Sequence, residues 1–366
     1  MRLVEGLAGV VLIGLTLVDI FQSVVVPRAS TGLLRLGPHI LRSSWWAFRR
    51  AGLRTRSAQR RERILGAFGP FAVILLLVVW VVLLIVGFGT LLDALRDQIL
   101  PVPADYWTSL YFAGTALLTI GFGDYTAIGT PARFISLAAG ATGLGTFALV
   151  VTFLFSLFGS FQRREIEVVT LEASAGAPPS GVAFLETYRR AGMMDQLGAA
   201  FERWQRWSAE VLDSHLAYPV LAYFRSSHDN DSWISSLGAV MDAATLVLTT
   251  IEDGPHGWAK MASWVGGHCI EDLAQYFRLD SVRFVGVEFE EFVQARTRLE
   301  AAGFRLRPES ESWEAFQAKR LGYAGRVSSL ARYWASPPAQ WIGDRSPLRF
   351  RHATSAGVPQ DSARVG

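Results

Sequence analysis

The chain has almost no cysteine and almost no lysine. Its single cysteine, Cys269, excludes an intrachain disulfide framework. Lysine occurs only at Lys260 and Lys319, although arginine is abundant. The chain also lacks a Gly-x-Gly-x-x-Gly motif, a Walker loop and an alternating strand and helix pattern, which argues against the common nucleotide-binding domains. Its histidines and cysteine show no common zinc spacing, so we expect no resident cofactor.

Long hydrophobic runs are what the chain does have. Hydrophobic residues make up 51% of its 366 residues, which indicates a membrane protein with a soluble part. Three runs, near 4–26, 71–92 and 133–158, are long enough to cross a bilayer core of about 30 Å. None carries arginine at every third residue, so we expect no charged voltage-sensing helix. The first run could be a secretory signal, but its positive start is weak and no cleavage site follows, so we expect it to be retained.

The charge between the first two runs predicts the topology. Ten arginines and one acidic residue, Glu62, lie between Arg28 and Arg63. Because short basic loops stay in the cytoplasm, we expect the N-terminus outside and the C-terminal region inside. Residues 39–53 interleave aromatic and basic residues, which predicts an amphipathic helix on the inner leaflet. This helix either binds anionic lipids or serves as a simple topological anchor.

One acidic residue, Asp19, falls inside the first run. A carboxylate at this depth is expensive unless it is paired or hydrogen-bonded. Either it is functional, or it packs against the next helix or lies near the interface, and we favour the second interpretation.

A short glycine-punctuated motif, Thr-Ile-Gly-Phe-Gly-Asp at 119–124, follows the second run. A ribbon whose successive carbonyls face one side needs positive φ at every second residue, which Gly121 and Gly123 reach at little cost. Such carbonyls can replace the water around a dehydrated cation. The preceding segment, 105–118, reaches only about 20 Å as a helix, so it can enter the membrane but not cross it. Its negative end would point at the membrane centre.

At these residues the chain resembles the potassium channel superfamily, whose signature Thr-x-Gly-Tyr/Phe-Gly-Asp follows a short pore helix. More narrowly, it is similar to the bacterial channels with one pore loop per chain. One loop cannot form a ring of carbonyls, so the pore must be an oligomer, and the resemblance implies a homotetramer. The resemblance also implies that five residues coordinate K⁺ in the filter: Thr119, Ile120, Gly121, Phe122 and Gly123.

Two departures from the family pattern concern the surroundings of the filter. Phe122 stands where many members have tyrosine, and Ala116 stands where many have threonine. These changes leave the carbonyls in place and bear on filter rigidity and inactivation. The expected filter-bracing residues are Asp124, Trp107, Tyr111, Phe112 and Thr115.

Gly143 lies twenty residues after Gly123, where the inner helix of the family often bends to gate. It is predicted to be either a gating hinge or a site of close helix packing. Acidic residues at the outer mouth would concentrate cations, although Asp93 and Asp97 individually are expected to be solvated loop residues.

The predicted fold is an all-α membrane protein with three transmembrane helices, a re-entrant pore helix and a selectivity filter, followed by a helical cytoplasmic domain. The short apolar run 237–251 predicts a buried core helix in that domain. The predicted segments are a first transmembrane helix (1–27), a basic linker (28–68), a pore domain (69–165), a helical domain (166–336) and a disordered tail (337–366). Within the pore domain they are an outer helix (70–92), a pore helix (105–118), the filter (119–124) and an inner helix (131–160).

The predicted function is a potassium-selective channel in the bacterial plasma membrane that catalyses no reaction and holds no cofactor apart from the permeant K⁺. Its expected partners are copies of itself, the lipid bilayer and an unknown regulatory ligand, with no nucleic acid. A nonselective cation channel or a potassium uptake subunit is an alternative. A non-conducting membrane-tethered sensor or scaffold, acting through the helical domain, is another.

Overall fold

The computed structural model describes residues 2–26, 36–226, 231–281 and 286–342. Within them the chain is 78% helical with almost no strands, which confirms the predicted all-α membrane fold. The helices are α1 (Arg2–Val24), α2 (Leu36–Arg54), α3 (Ala58–Gly66), α4 (Phe68–Asp93), α5 (Tyr106–Leu117), α6 (Thr130–Ala175), α7 (Gly181–Arg190), α8 (Met194–Ala217), α9 (Trp233–Thr249), α10 (His256–Tyr276), α11 (Phe289–Ala301), α12 (Glu309–Leu321) and α13 (Ala324–Trp334).

Three helices, α1, α4 and α6, are long and apolar enough to cross a membrane. The first two run antiparallel, so that Arg2 at the start of α1 pairs with Asp97, just beyond the end of α4. They cross at two glycines, because a Cβ atom built on Gly9 would lie 2.7 Å from the carbonyl oxygen of Gly87. Small residues allow this close approach in a membrane, where lipid contact alone does not drive helices together.

Asp19 is buried between α1, α2 and α4, with 1% of its surface exposed. Its Oδ1 accepts from the backbone N–H of Leu36 at 3.0 Å and of Gly37 at 3.5 Å, the first two residues of α2. Its Oδ2 accepts from Nε1 of Trp80 at 2.8 Å. A carboxylate at a helix N-terminus satisfies amides that have no partner within the helix. Asp19 therefore has the packing role favoured from the sequence.

The short helix α5 spans about 18 Å, which is too little to cross the membrane. It begins after Asp105, whose Oδ1 accepts from the backbone N–H and from the hydroxyl of Thr108, each at 2.8 Å. The loops on either side of it are joined by two short antiparallel strands, β1 (Ile99–Leu100) and β2 (Thr126–Ala127). The ends of the re-entrant segment are thereby held together.

The inner helix is longer than the sequence predicted. It was expected to end at 160, but α6 continues for fifteen more residues to Ala175. The charged residues after 160 mark a change of surroundings, but they do not interrupt helical geometry. The helix ends only where Gly176 adopts a φ of +79°, a conformation that glycine supplies readily.

The C-terminal domain is built around α9, nearly all of whose residues are buried, as the apolar run 237–251 predicted. One charge, Asp242, lies inside this helix. Its Oδ1 accepts from Nε of Arg320 at 2.8 Å and from the hydroxyl of Tyr323 at 2.6 Å. Nη2 of the same arginine donates to the carbonyl of Trp341 at 2.6 Å. These partners offset the desolvation cost of the buried carboxylate.

The side of helix α2 that carries Trp45 packs against protein, whereas Trp46 is 64% exposed, so contact of this helix with the inner leaflet stays a prediction. Nε1 of Trp45 donates to the carbonyl of Tyr333 at 3.2 Å, and Nη2 of Arg49 donates to the carbonyl of Arg332 at 3.1 Å. The linker therefore connects the spanning helices to α13. Its first part, 28–35, lies outside the described residues.

The beginning of the predicted disordered tail is packed on the C-terminal domain. Trp341 and Ile342 are buried, and the hydroxyl of Ser235 donates to the carbonyl of Pro337 at 3.1 Å. The proline, glycine and serine content suggested disorder, but these two apolar side chains bury enough surface to hold the segment. The remainder of the tail, 343–366, lies outside the described residues.

Candidate ion-conduction site

The motif at 119–124 has the backbone pattern that a carbonyl-lined filter requires. Its φ angles are +57° at Thr119, +58° at Gly121 and +80° at Gly123, with the two intervening residues outside this region. Alternating positive and negative φ turns successive carbonyls towards one side of the ribbon. Thr119 was not expected to take part in the alternation, because a left-handed conformation costs a non-glycine residue about 1–3 kcal/mol.

The C-terminal end of α5 holds the beginning of this motif. The carbonyl of Thr115 accepts from the backbone N–H of Ile120 at 2.9 Å and of Gly121 at 3.3 Å. The N–H of Thr119 donates to the carbonyl of Ala116 at 3.1 Å. The hydroxyl of Thr115 donates to the carbonyl three residues earlier in the helix, at 2.9 Å. Thr115 therefore supports the motif through its backbone.

Tyr111 is the side chain that meets the outer half of the motif. Its ring is parallel to that of Phe122, with centroids 6.4 Å apart, and lies edge-on to Tyr125 at 6.2 Å. Its hydroxyl interacts with the carboxylate of Asp124. Phe122 cannot hydrogen-bond through its side chain, but Tyr111 supplies a phenol from the α5 side.

Two of the expected bracing residues lie elsewhere. Phe112 is buried in the hydrophobic cluster that α5 forms with α1, α4 and α6. Trp107 is 75% exposed, and its aromatic neighbour is Tyr106, with centroids 6.4 Å apart. Among the described residues, neither ring forms an aromatic contact with the motif. The structure thus brings Thr115 and Tyr111 to the motif, and Tyr111 meets its last residue, Asp124.

Gly143 on α6 lies directly against the end of α5. A Cβ atom built on it would overlap the carbonyl oxygen of Leu117. The helix is continuous through this position. Close packing accounts for the glycine, and a hinge at Gly143 stays a prediction.

The acids near the mouth have different surroundings. Asp93 is buried, and its Oδ1 accepts from the hydroxyl of Ser109 at 2.7 Å and from Nη2 of Arg96 at 2.6 Å. It therefore joins the end of α4 to α5, which corrects the expectation of a solvated loop residue. Asp97 is exposed and pairs with Arg2.

Sequence reasoning missed Arg164, which joins the inner helix to the C-terminal domain. Although charged, it is almost fully buried. Its Nη1 donates to the carbonyl of Leu221 at 3.0 Å, and its Nη2 donates to that of Phe224 at 2.8 Å. Its Nε donates to Oε1 of Glu165 at 3.0 Å. The basic character of this helix end predicted only its side of the membrane, and no local signal showed partners more than fifty residues away.

The comparisons with known proteins agree with this geometry. Residues 74–160 match the family model described as "Ion channel". They contain most of α4, the whole of α5 and the motif, and the first part of α6. These residues form an ion channel domain of the ion channel superfamily.

One relative extends the similarity beyond this domain. The chain is 21% identical over 189 residues to the protein of Bacillus subtilis (strain 168) called "Uncharacterized membrane protein YdjJ". The aligned part covers 50% of this chain and 54% of that protein, so the chain spans about half the length of this relative. No solved structure matches the chain.

Proposed function

We propose that the protein is a potassium-selective channel in which four copies of the ribbon at 119–123 surround one axis. The observation that carries the proposal is the alternation of φ from Thr119 to Gly123, next to the end of a half-length helix. Carbonyls facing one side can replace the hydration shell of K⁺. The negative end of α5 adds a favourable field where the ion is dehydrated.

Apolar side chains that are exposed in a single chain support an assembly of several copies. Ile120 is 50% exposed and Phe122 is 68% exposed, although apolar filter side chains need cover if they are to hold a ribbon in place. Along α6 an exposed stripe continues beyond the predicted membrane boundary with spacings of three and four residues. The stripe consists of Phe155, Phe158, Gln162, Ile166, Val169 and Ala173.

This spacing is that of a seam between parallel helices. Residues such as Ile166 and Val169 lie after the arginine pair that ends the apolar run, so lipid does not account for their exposure. Four α6 helices meeting along the stripe would cover them. They would also place the four copies of the motif around a common axis.

The proposed orientation has the motif near the outer surface and the C-terminal domain in the cytoplasm of a bacterial cell. The arginines of α2 and α3 and the basic residues after 160 lie at the end of the spanning helices opposite the motif. Both groups belong on the cytoplasmic side by the positive-inside rule. Arg2 is near the motif end, so the N-terminus is proposed to lie outside.

Ion flux into liposomes containing the purified protein tests the proposal. We expect K⁺ flux to exceed Na⁺ flux, and a reversal potential that follows the K⁺ gradient. Gly121→Ala and Gly145→Ala form a matched pair, because an added Cβ meets nothing within 4 Å at either position but only Gly121 has a positive φ. The first variant should lose selective flux, as should Gly121→Asp, and the second should retain it.

Each result that contradicts the proposal favours a different alternative. Equal K⁺ and Na⁺ permeation would favour a nonselective cation channel. Absence of flux from a correctly folded protein would favour a membrane-tethered sensor or scaffold. Cross-linking followed by mass measurement should give four chains, and a monomer would exclude the proposed pore.

A further inference from the structure

The C-terminal domain has a cleft of about 710 Å³ that lies apart from the ion channel domain. It lies between α10 and the end of α12, with α9 beneath it. This volume is within the range of small-molecule sites, about 300–1,000 Å³. The residues that matter for its chemistry are Lys260, Trp264, His268, Glu271, Lys319 and Tyr323.

The cleft contains both lysines of a chain that otherwise uses arginine for its positive charge. Lys260 projects from α10 and Lys319 from the last turn of α12. Neither forms an ion pair within the described ranges. The two nearby acids already have other partners. Oε1 of Glu271 accepts from Nη2 of Arg326 at 2.9 Å, and Oδ2 of Asp272 lies 3.3 Å from Nε2 of His268. Two positive charges therefore remain for a ligand to neutralise.

An aromatic surface accompanies these charges. The indole of Trp264 is 70% exposed, and the ring of His268 is parallel to it, with centroids 6.0 Å apart and planes within 9°. A third planar ring can stack in this region, and aromatic pairs contribute beyond the area that they bury. Lysine is depleted in the cores of protein interfaces, so the pair of lysines favours a small anion over a protein partner.

We propose that this cleft binds a small organic anion with a planar ring, of the nucleoside phosphate class, whose ring lies against Trp264 and whose phosphates contact Lys260 and Lys319. Its lining consists largely of helix side chains and not of a glycine-rich phosphate loop, so the site differs from the common nucleotide-binding motifs. The proposal does not depend on ion conduction. Its floor includes Tyr323, which donates to Asp242 in the central helix α9, so an occupied cleft contacts the core of the domain.

Calorimetric titration of ADP into the purified full-length chain tests this site. Adenosine and pyrophosphate separate the contributions of the ring and the phosphates. We expect ADP to bind and each of the other two to bind at least about tenfold more weakly. Lys260→Gln, Lys319→Gln and Trp264→Leu should each weaken ADP binding by about tenfold.

Arg206→Gln is the matched control, because it removes an exposed positive charge on α8 outside the cleft. It should leave ADP binding unchanged. Lys319 also stabilises the end of α12 through the helix dipole, so thermal unfolding of each variant should show that the domain stays folded.

Three results would overturn the proposal. They are no binding of ADP, equal binding of adenosine and ADP, or ADP binding that is unaffected by Lys260→Gln and Trp264→Leu. A change in oligomeric state in Trp264→Leu, together with no ADP binding, would assign the face to contact between chains. Because binding is measured without flux, its failure is distinguishable from failure of the channel proposal.

Discussion

Nη1 of Arg164 lies 3.1 Å from Nε2 of His215 in the buried contact between α6 and α8. The other ring nitrogen, Nδ1, lies 2.8 Å from the carbonyl of Val211. Because a carbonyl can only accept, Nδ1 carries the proton, and Nε2 is free to accept from the guanidinium. The imidazole is therefore held neutral beside a permanent positive charge.

Replacing Arg164 should loosen the connection between the inner helix and the C-terminal domain. Arg164→Gln removes the charge and leaves the carbonyls of Leu221 and Phe224 without their donors, so we expect a loss of about 3–5 kcal/mol in the free energy of unfolding. Arg163→Gln is the matched control, because the neighbouring arginine is exposed and donates only to Ser160 in the part of the chain described. Unfolding of both variants in detergent measures the difference. Equal stability of the two would mean that the buried arginine contributes nothing.

Acidification should destabilise the contact through His215. Burial, together with the positive charge of Arg164, lowers the pKa of His215 well below its ordinary value of 6.5. Below about pH 6.5 the unfolded chain takes up a proton that the folded chain does not. The free energy of unfolding should then fall by up to about 1.4 kcal/mol per pH unit as the pH decreases, with no contribution from this group above neutrality. In His215→Gln this contribution to the pH dependence of the free energy of unfolding should be absent. If the variant and the original protein show the same pH profile, His215 is not the responsible group.

The interactions of Asp19 can be separated with two substitutions. Asp19→Ala leaves the first amides of α2 and the indole of Trp80 unpaired, so the loss should be about 3 kcal/mol. Asp19→Asn keeps one acceptor oxygen and should cost less. A double-mutant cycle with Trp80→Phe should give a coupling energy above about 0.5 kcal/mol. Additive effects would show that the indole and the carboxylate do not interact.

Alanine substitutions at Gly143 and Gly145 distinguish a packing role of Gly143 from a hinge role. A Cβ at Gly143 overlaps the carbonyl of Leu117, whereas a Cβ at Gly145 meets nothing within 4 Å. Gly143→Ala should therefore displace the end of α5 and reduce K⁺ flux together with thermal stability, while Gly145→Ala should change neither. If Gly143→Ala keeps its stability but alters channel opening, the glycine acts as a hinge.

The parts of the fold that depend on local signals were predictable. The motif from Thr119 to Asp124 and the half-length helix before it each have an identifiable pattern in the sequence. The cap at Asp105 is equally local, because its carboxylate accepts from Thr108, three residues later. The three apolar runs likewise needed only length and composition.

The missed features depend on partners far along the chain. Arg164 reads as one more basic residue at a helix end, and its acceptors lie more than fifty residues away. Asp93 looked like a loop acid because its position at the end of an apolar run does not reveal the facing serine on α5. Part of the cover over α2 comes from α13, nearly three hundred residues later. A single sequence shows which side chains of a segment are suited to burial, but not which distant residues cover them.

The continuity of α6 has a mechanical consequence. At about 1.5 Å per residue, its 46 residues form a rod of about 69 Å. Tilting such a rod by about 5° would displace one end relative to the other by about 6 Å, by simple leverage over that length. Any stimulus that reorients the C-terminal domain, which Arg164 joins to α6, would therefore act directly on the part of α6 that belongs to the ion channel domain, without an intervening flexible coupling.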